Sequence, residues 1–363
     1  MAAAELFSET YKEARLRFVA GAKRAGGQHF EFTNPAGVGA LGEALVTDVA
    51  LLGSPEAQHL LVLVSGTHGV EGFCGSGCQL DALLEGYGIA TDRHTATLFI
   101  HAINPFGFSW CRRVNEDNVD LNRNAVDHEQ PPATHPDYAE LHPHLLPEDW
   151  TGEGRETAER ALAQFVAVHG YMAFQAAVTL GQYTHPDGLF YGGQKLAWST
   201  RTFQEIMLRF ARGKERVALI DFHTGLGPPG YGEPIYTELD AAGLARARSW
   251  YGPEVTSVYA GDSSSAPVQG ALINATRSLL PGTEVTPLAL EFGTLAPAVV
   301  MTAMRAEQWL TLHGQADPEL ANHIKREMRA SFYVDSEEWR SAVLRRGREL
   351  IERALRGLAT PVP

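Results

Sequence analysis

Residues 59–72 read HLLVLVSGTHGVEG, and this stretch decides the fold. It opens with a nearly continuous apolar run, which is typical of a central strand covered on both faces. A glycine-rich loop over 66–72 follows at once, and a helical segment then extends from about 74 to 86. A buried strand that passes through a tight loop into a helix predicts the repeating unit of an α/β protein.

The same alternation continues along the chain. Further strands are predicted at 43–51, 97–103, 216–223 and 287–293, and helices at 5–25, 155–178, 199–212, 297–312 and 317–358. We therefore predict one large α/β domain over residues 1–363, with a central mixed, mostly parallel sheet and helices on both faces. Residues 125–155 lack a period and are interpreted as a loop-rich excursion, 224–234 as a Gly/Pro loop, and 297–358 as a helical C-terminal segment.

Composition excludes several function classes. The 363 residues include 43 acidic and 30 basic side chains, a formal net charge of −13, which argues against a nucleic-acid partner because phosphates attract basic surfaces. No run approaches the ~20 apolar residues of a membrane span, and the charged N-terminus lacks a signal peptide's apolar region, so we expect a cytoplasmic protein with no membrane partner. Cys74, Cys78 and Cys111 are too few for a disulfide framework.

Side chains suited to metal binding and proton transfer follow three of the predicted strands. His68 and Glu71 lie in the loop after the first, His223 ends another, and Glu291 lies near the end of the last. Because ligands of open α/β sheets bind beyond the carboxyl ends of the strands, we expect these groups to meet. Two imidazoles and one carboxylate with a fourth position open form a catalytic zinc set, and Glu291 would be a spare carboxylate able to act as a base.

Five motifs carry a family resemblance: HGVE at 68–71, NPFGF at 104–108, NVDLNRN at 118–124 with an arginine ahead of it, DFH at 221–223 and LEFGT at 290–294. Their order resembles the zinc carboxypeptidase superfamily (the M14 type), and in particular its bacterial DUF2817 branch. The resemblance implies one Zn²⁺ per chain, held by His68, Glu71 and His223. It also implies that Glu291 is the general base that deprotonates the attacking water and then protonates the leaving amine.

The resemblance extends to residues that contact the substrate. Arg113 matches the arginine that stabilises the tetrahedral oxyanion, and its neighbour Arg112 is the alternative. Asn122 and Arg123 match the pair that holds the substrate's terminal carboxylate, a task that suits the forked guanidinium.

Two aspartates are expected behind the histidine ligands. Asp120 matches the carboxylate that orients His68 by accepting its other N–H. Asp221 lies two residues before His223 on the same strand face, in a sequence that looks like the DLH of the related aspartoacylase and succinylglutamate desuccinylase branch.

Three assignments leave alternatives open. Tyr259 lies in a segment that resembles the family's mobile tyrosine loop, with Tyr231 and Tyr236 as alternatives. Asp262 either lines the specificity pocket, where it would favour a basic side chain, or is a turn residue. The aromatic and glycine-rich loop 181–193 either forms a substrate-side wall or is purely structural.

The function expected from these residues is hydrolysis of an amide bond next to a free carboxylate. The first hypothesis is a zinc metallocarboxypeptidase that acts on short peptides or amino-acid conjugates. The alternative is a zinc-dependent N-acyl amino acid deacylase, similar to the aspartoacylase and desuccinylase branch. Both need only a small-molecule or short-peptide substrate, and neither fixes the oligomeric state.

Overall fold

The computed structural model describes residues 3–89, 92–130, 136–314 and 317–360. Within these residues a single sheet contains eight strands: β1 (Gln28–Val38), β2 (Ala44–Leu52), β3 (His59–Val64), β4 (Thr95–His101), β5 (Arg216–Pro229), β6 (Gly232–Tyr236), β7 (Thr256–Ser257) and β8 (Glu284–Gly293). Their spatial order is β1-β2-β4-β3-β5-β8-β6-β7. The four central strands, β4, β3, β5 and β8, are parallel. On one side β2 pairs antiparallel with β4 and β1 antiparallel with β2; on the other side β6 pairs antiparallel with β8 and parallel with β7. The predicted mixed sheet with a parallel core is confirmed.

Helices cover both faces of this sheet. They are α1 (Tyr11–Arg24), α2 (Gly72–Glu85), α3 (Pro105–Ser109), α4 (Leu121–Asn124), α5 (Pro136–Leu145), α6 (Glu153–His169), α7 (Tyr171–Thr179), α8 (Trp198–Phe210), α9 (Ala241–Tyr251), α10 (Ala275–Leu279), α11 (Pro297–His313), α12 (Pro318–Phe332) and α13 (Glu337–Ala359). Alternate residues of β3 point to opposite cores: Leu61 and Leu63 pack with α1, α2 and α13, whereas Val62 and Val64 pack with α8. The apolar run of β3 is therefore buried on both sides, as its sequence predicts.

The strand register brings the predicted catalytic residues to one edge of the sheet. Val64, the last residue of β3, is paired with Asp221 of β5, and His223 of β5 is paired with Glu291 of β8. The loop after β3, which carries His68, therefore leaves the sheet beside His223. Three segments that are distant in sequence meet because parallel strands place their carboxyl ends together.

Several predicted boundaries are wrong. The strand predicted to end at His223 continues to Pro229 and turns into β6, which replaces the predicted Gly/Pro loop, and β1, β6 and β7 are additional strands. Residues 317–358 form two helices, because Ser336 caps α13 with a side-chain hydrogen bond from Trp339 N–H. The expected excursion 125–155 contains α5, although its residues 131–135 lie outside the described part of the chain.

The helix predicted over 155–178 is broken at Gly170. This residue has a φ of +86°, which glycine adopts readily, and α6 and α7 meet there at 118°. In the described ranges no single helix is both long and apolar enough to cross a membrane, and this bent pair passes such a length and composition test only when its two helices are taken together.

Candidate active site

The predicted metal ligands converge beyond the carboxyl ends of β3 and β5. Nδ1 of His68 lies 2.8 Å from Glu71 Oε1, and Nδ1 of His223 lies 2.8 Å from Glu71 Oε2. All three side chains are buried, and their ligand atoms lie within 4.8 Å of one another. Burial opposes ionisation of Glu71, but the two imidazoles hold the pKa of its carboxyl below the usual range. The three side chains could therefore hold a cation between them.

Each histidine turns its other ring nitrogen to a buried aspartate. Nε2 of His223 lies 2.8 Å from Asp221 Oδ2, and Nε2 of His68 lies 3.2 Å from Asp120 Oδ1. Thr67 Oγ1 donates to both oxygens of Asp221 at 2.9 Å and so fixes that carboxylate. Carboxylates in this position orient imidazole ligands and raise their basicity, which leaves the two Nδ1 atoms free for a metal.

A second group of acidic and histidine side chains is less suited to holding a metal ion. His29, Glu31 and Asp48 also lie close enough together to hold a metal ion. Arg15, however, donates to Asp48 at 2.7 Å and to Glu31 at 2.6 Å. Because a guanidinium already neutralises both carboxylates, this group is an ion-pair network.

The two neighbouring arginines have different surroundings. Arg113 reaches the ligand set, with Nη2 2.8 Å from His68 Nε2 and Nη1 3.3 Å from Glu71 Oε1. Arg112 points elsewhere and pairs with Glu307 at 3.1 Å. Arg113, and not Arg112, therefore lines the cavity beside the ligand set.

Asn122 and Arg123 lie on the short helix α4 and line the same cavity. Arg123 is buried and donates to the Thr179 carbonyl from Nε at 3.0 Å and from Nη2 at 2.5 Å. Burial lowers the pKa of its guanidinium to about 10, so it remains charged at neutral pH. Gly181, at a φ of +111°, permits this packing, because a Cβ there would lie 2.6 Å from Arg123 Cδ.

Glu291 lies on β8 at the edge of the ligand set. Burial, reinforced by the Glu71 carboxylate, raises the pKa of Glu291 to about 8. Its Oε1 accepts a hydrogen bond from Leu226 N–H at 3.0 Å, which fixes the carboxylate in the cavity. A buried carboxylate with a pKa near neutrality suits a general base, and a bound cation would lower this pKa and favour the ionised form.

The predicted tyrosine does not reach the cavity. Tyr259 is 46% exposed and is not among the cavity-lining residues, and neither are the alternatives Tyr231 and Tyr236. Ser265 and Ala266 of the loop that follows Tyr259 do line the cavity, but the turn at Asp262 does not. Asp262 accepts from Ser257 N–H at 2.7 Å and pairs with Arg248, so it is a turn residue and not part of a specificity pocket.

The ligand set lies in a cavity of about 150 Å³ whose remaining walls are mostly apolar. Ile235 of β6 is paired with Ala289 of β8, and Val258 adjoins them. Loop 181–193 contributes Phe190, whose ring centroid lies 5.2 Å from Arg113 Cζ and 5.4 Å from Arg123 Cζ. The two arginines are thus stacked on one aromatic wall.

Sequence reasoning missed the wall made by α7. Tyr171, Gln175 and Thr179 line the cavity, and their spacing of four residues places them on one helix face. The available signal was this spacing within a segment that lacks acidic and basic side chains. Nothing in the local sequence, however, indicated which face of the helix meets the site.

A comparison with known protein families identifies the family of this chain. The sequence pattern of the family described as "Protein of unknown function (DUF2817)" matches residues 7–346. The chain belongs to this family. No curated protein matches the sequence.

The chain is similar to several solved structures at low identity and low TM-score. Carboxypeptidase A from Helicoverpa armigera is 10% identical, with 89% of this chain and 73% of that chain covered, at a TM-score of 0.44. Murein-tripeptide amidase MpaA from Escherichia coli O157 is 16% identical over 81% and 91%, at 0.35. A putative succinylglutamate desuccinylase/aspartoacylase from Shewanella frigidimarina is 18% identical over 79% and 72%, at 0.35.

Proposed function

We propose that the protein is a zinc hydrolase that cleaves an amide bond next to a free carboxylate. The observation that carries this proposal is the position of Glu71, whose two oxygens each lie 2.8 Å from a histidine Nδ1. Catalytic zinc sites take three nitrogen or oxygen ligands from the protein and keep one position open. The donor set fits, because both histidines are oriented from behind by a buried aspartate.

The residues around the ligand set supply the remaining chemistry. A zinc ion, when bound, would polarise the scissile carbonyl and make a water more acidic. Glu291 would accept the proton of the attacking water and then deliver it to the leaving amine. Arg113 would donate to the negative charge that develops on the carbonyl oxygen.

Arg123 and Asn122 would hold the substrate's carboxylate. Arg123 is buried, charged and fixed by the Thr179 carbonyl, so it is preorganised to pair with an anion. The Oδ1 atom of Asn122 accepts from Leu272 N–H at 2.9 Å, which orients its amide. Among the residues that the structure describes, the only carboxylates that line the cavity are those of Glu71 and Glu291, so none is left to favour a basic side chain on the released amino acid. The apolar wall of Ile235 and Val258 favours an aliphatic one.

The first candidate activity is that of a carboxypeptidase on short peptides or amino-acid conjugates. The second is an N-acyl amino acid deacylase, and one observation favours it. The side of the cavity formed by α11 is lined by the apolar side chains of Pro297, Val300, Met301 and Met304, whereas a peptide backbone needs hydrogen-bond partners when it is buried.

Amino-acid release from a mixed pool of short peptides and N-acyl amino acids, measured by mass spectrometry, tests the proposal. The zinc-loaded protein is compared with the same protein after metal removal, and bound zinc is quantified. Release that depends on zinc, from either class, supports the hydrolase, and the class identifies the branch. A protein that carries one zinc ion and releases nothing from either class would overturn the proposed substrate.

A further inference from the structure

The face that α7 turns to the cavity is polar but uncharged, and two of its side chains lack a partner. Tyr171, Gln175 and Thr179 line the cavity, whereas Phe174 and Val178, on the adjoining side of the helix, are buried in the core. Thr179 Oγ1 donates to the Gln175 backbone carbonyl at 2.9 Å, so this hydroxyl is used within the helix. The side-chain amide of Gln175 and the hydroxyl of Tyr171 form no hydrogen bond with the described residues, so both are available to a ligand.

The place of Gln175 along the cavity follows from where the cavity opens. Of the described residues that line it, Tyr171 and Pro297 are the exposed ones. They are the first residues of α7 and α11, so the opening lies between the N-terminal ends of these two helices. Arg123 lies at the other end of α7, where the Thr179 carbonyl holds it. Gln175 therefore lies between the opening and the proposed carboxylate anchor.

The spacing along α7 matches that of an extended substrate that runs from the anchor to the opening. The four helix residues from Thr179 to Gln175 cover about 6 Å along the axis. An extended chain advances about 3.3–3.6 Å per residue, or about 7 Å for two residues. With the terminal carboxylate of the substrate at Arg123, the first amide along the chain is the one to be cleaved. The next amide, on the acyl side, then comes level with Gln175.

The side chain of Gln175 suits an amide better than an ammonium group or an alkyl chain. A carboxamide has an acceptor oxygen and two donor hydrogens, so it can pair with the N–H and the C=O of a peptide group. An ammonium group at this point would need a carboxylate, and the described carboxylates of the cavity, Glu71 and Glu291, are assigned to the metal and to the attacking water. An alkyl chain would displace water and leave the Gln175 amide unpaired, which costs free energy.

We infer that Gln175 is a specificity-determining residue that hydrogen-bonds the amide on the acyl side of the scissile bond. The residue whose carbonyl is attacked therefore carries an acylated nitrogen, as in a peptide of three or more residues or an N-acylated dipeptide. Its side chain would lie towards the apolar residues of α11, and its backbone towards α7. This inference rests on the proposed amide hydrolysis and deepens it, because it distinguishes between substrates that share the same carboxylate.

Three substrates that all release leucine test the inference. N-acetyl-alanyl-leucine has the acyl-side amide, alanyl-leucine has a free ammonium group in its place, and N-(2-methylpentanoyl)-leucine has an alkyl chain of the same length. For the zinc-loaded protein we expect kcat/KM of the acetylated dipeptide to be about tenfold higher than that of either other compound, since each of them leaves the Gln175 amide unpaired. Binding of all three to the Glu291→Gln variant is measured by calorimetry, so that affinity is read independently of turnover.

Two substitutions at Gln175 should change this order in different ways. Gln175→Met removes the amide at similar size and should lower kcat/KM for the acetylated dipeptide about tenfold, mainly through KM, with no fall for the alkyl compound. Gln175→Glu supplies the missing carboxylate and should raise kcat/KM for alanyl-leucine about tenfold, a gain that misfolding cannot produce. Gln204→Met, at a half-buried position on α8 away from the cavity, is the control and should change none of the three values. The same order of the three substrates in both Gln175 variants would overturn the role of Gln175.

The outcomes separate this inference from the function on which it rests. Equal turnover of the acetylated dipeptide and the alkyl compound by the unmodified protein would overturn the inference and leave the hydrolase proposal standing. Faster turnover of the alkyl compound would overturn it in favour of an N-acyl amino acid deacylase. Tighter binding of the acetylated dipeptide to the Glu291→Gln variant, with no turnover of any compound by the unmodified protein, would support the Gln175 contact and refute the hydrolase.

Discussion

The inner end of the cavity has buried ionisable side chains, whereas its outer wall has uncharged side chains that are partly exposed. The inner end, which we call the floor, consists of six buried polar side chains: His68, Glu71, Asp120, Asp221, His223 and Glu291. Every one of them has a hydrogen-bond partner. The outer wall, formed by α7 and α11, has no charged side chain that lines the cavity, and several of its side chains are half-exposed.

The two regions are therefore suited to different tasks: the floor to stabilising charge, and the wall to binding the substrate. A buried network in which every polar group is paired is fixed before the substrate arrives, so it can stabilise developing charge without rearranging. Apolar side chains at a half-exposed wall bind by area and tolerate different shapes. Substitutions in the floor should therefore lower kcat or metal affinity, whereas substitutions in the wall should raise KM.

Removing the proposed base should have the largest effect. We expect Glu291→Gln to lower kcat by about 10²–10⁴-fold with zinc still bound, because the amide keeps the shape but cannot accept the proton of the water. Turnover is measured by amino-acid release, and zinc by atomic absorption.

Glu233→Gln is the matched control for that variant. Glu233 is a buried carboxylate paired in register with Glu291, but it accepts hydrogen bonds from Thr256 of β7 and from Ser264 in the loop that follows. Its replacement should cost far less activity. A Glu291→Gln enzyme with substantial turnover would remove Glu291 from the role of base.

Arg123 lies between the floor and the wall, and its substitution tests the proposed carboxylate site. Arg123→Ala should lower kcat/KM about 10²-fold for substrates with a free carboxylate, since a buried charged contact is lost. For the corresponding amidated substrates we expect little change. The comparison of free and amidated forms is the control, because misfolding would affect both. Equal losses would contradict carboxylate anchoring.

The floor could be predicted from the sequence, whereas the wall could not. Five of the six floor residues follow a strand with a strong apolar run or lie near its end, and imidazole and carboxylate side chains at such positions have a limited set of chemical uses. The sixth, Asp120, was predicted from the family resemblance. Tyr171 belongs to a helix far from these motifs in sequence, and Met301 belongs to the helix that follows LEFGT. Their contacts depend on how the helices pack, which periodicity alone does not define.

Contacts between distant segments also explain why one strand boundary and the assignment of Tyr259 were mispredicted. β5 was predicted to end at His223 because Gly225 and Gly227 usually interrupt strands, but the pairing with β8 and the turn into β6 extend it. Tyr259 was assigned by the likeness of its loop, and the hydrogen bonds of Asp262 and Glu233 fix a loop conformation in which Ser265, and not Tyr259, lines the cavity. Tertiary hydrogen bonds decided both cases.

Substitution of an aspartate that contacts a histidine ligand should have an intermediate effect on zinc affinity. Asp221→Asn keeps the size of the side chain that lies 2.8 Å from His223 Nε2, but it removes the charge that orients the imidazole. We expect zinc affinity to fall about 10- to 100-fold, measured by competition with a chelator. Asp262→Asn, at the exposed turn, is the control and should bind zinc as the unmodified protein does. Unchanged affinity in Asp221→Asn would mean that Thr67 alone can fix the ligand.

A substitution in the wall should have the smallest effect on activity, and this effect should be on KM alone, unlike that of a substitution in the floor. Met301 is half-buried, so Met301→Ala removes only part of a side chain's apolar contact, about 1 kcal/mol, and should raise KM about fivefold for an apolar substrate at unchanged kcat. Leu312→Ala, on the same helix but away from the cavity, is the control and should leave KM unchanged. A fall in kcat for Met301→Ala would show that the wall also positions the scissile bond, and the division between floor and wall would then fail.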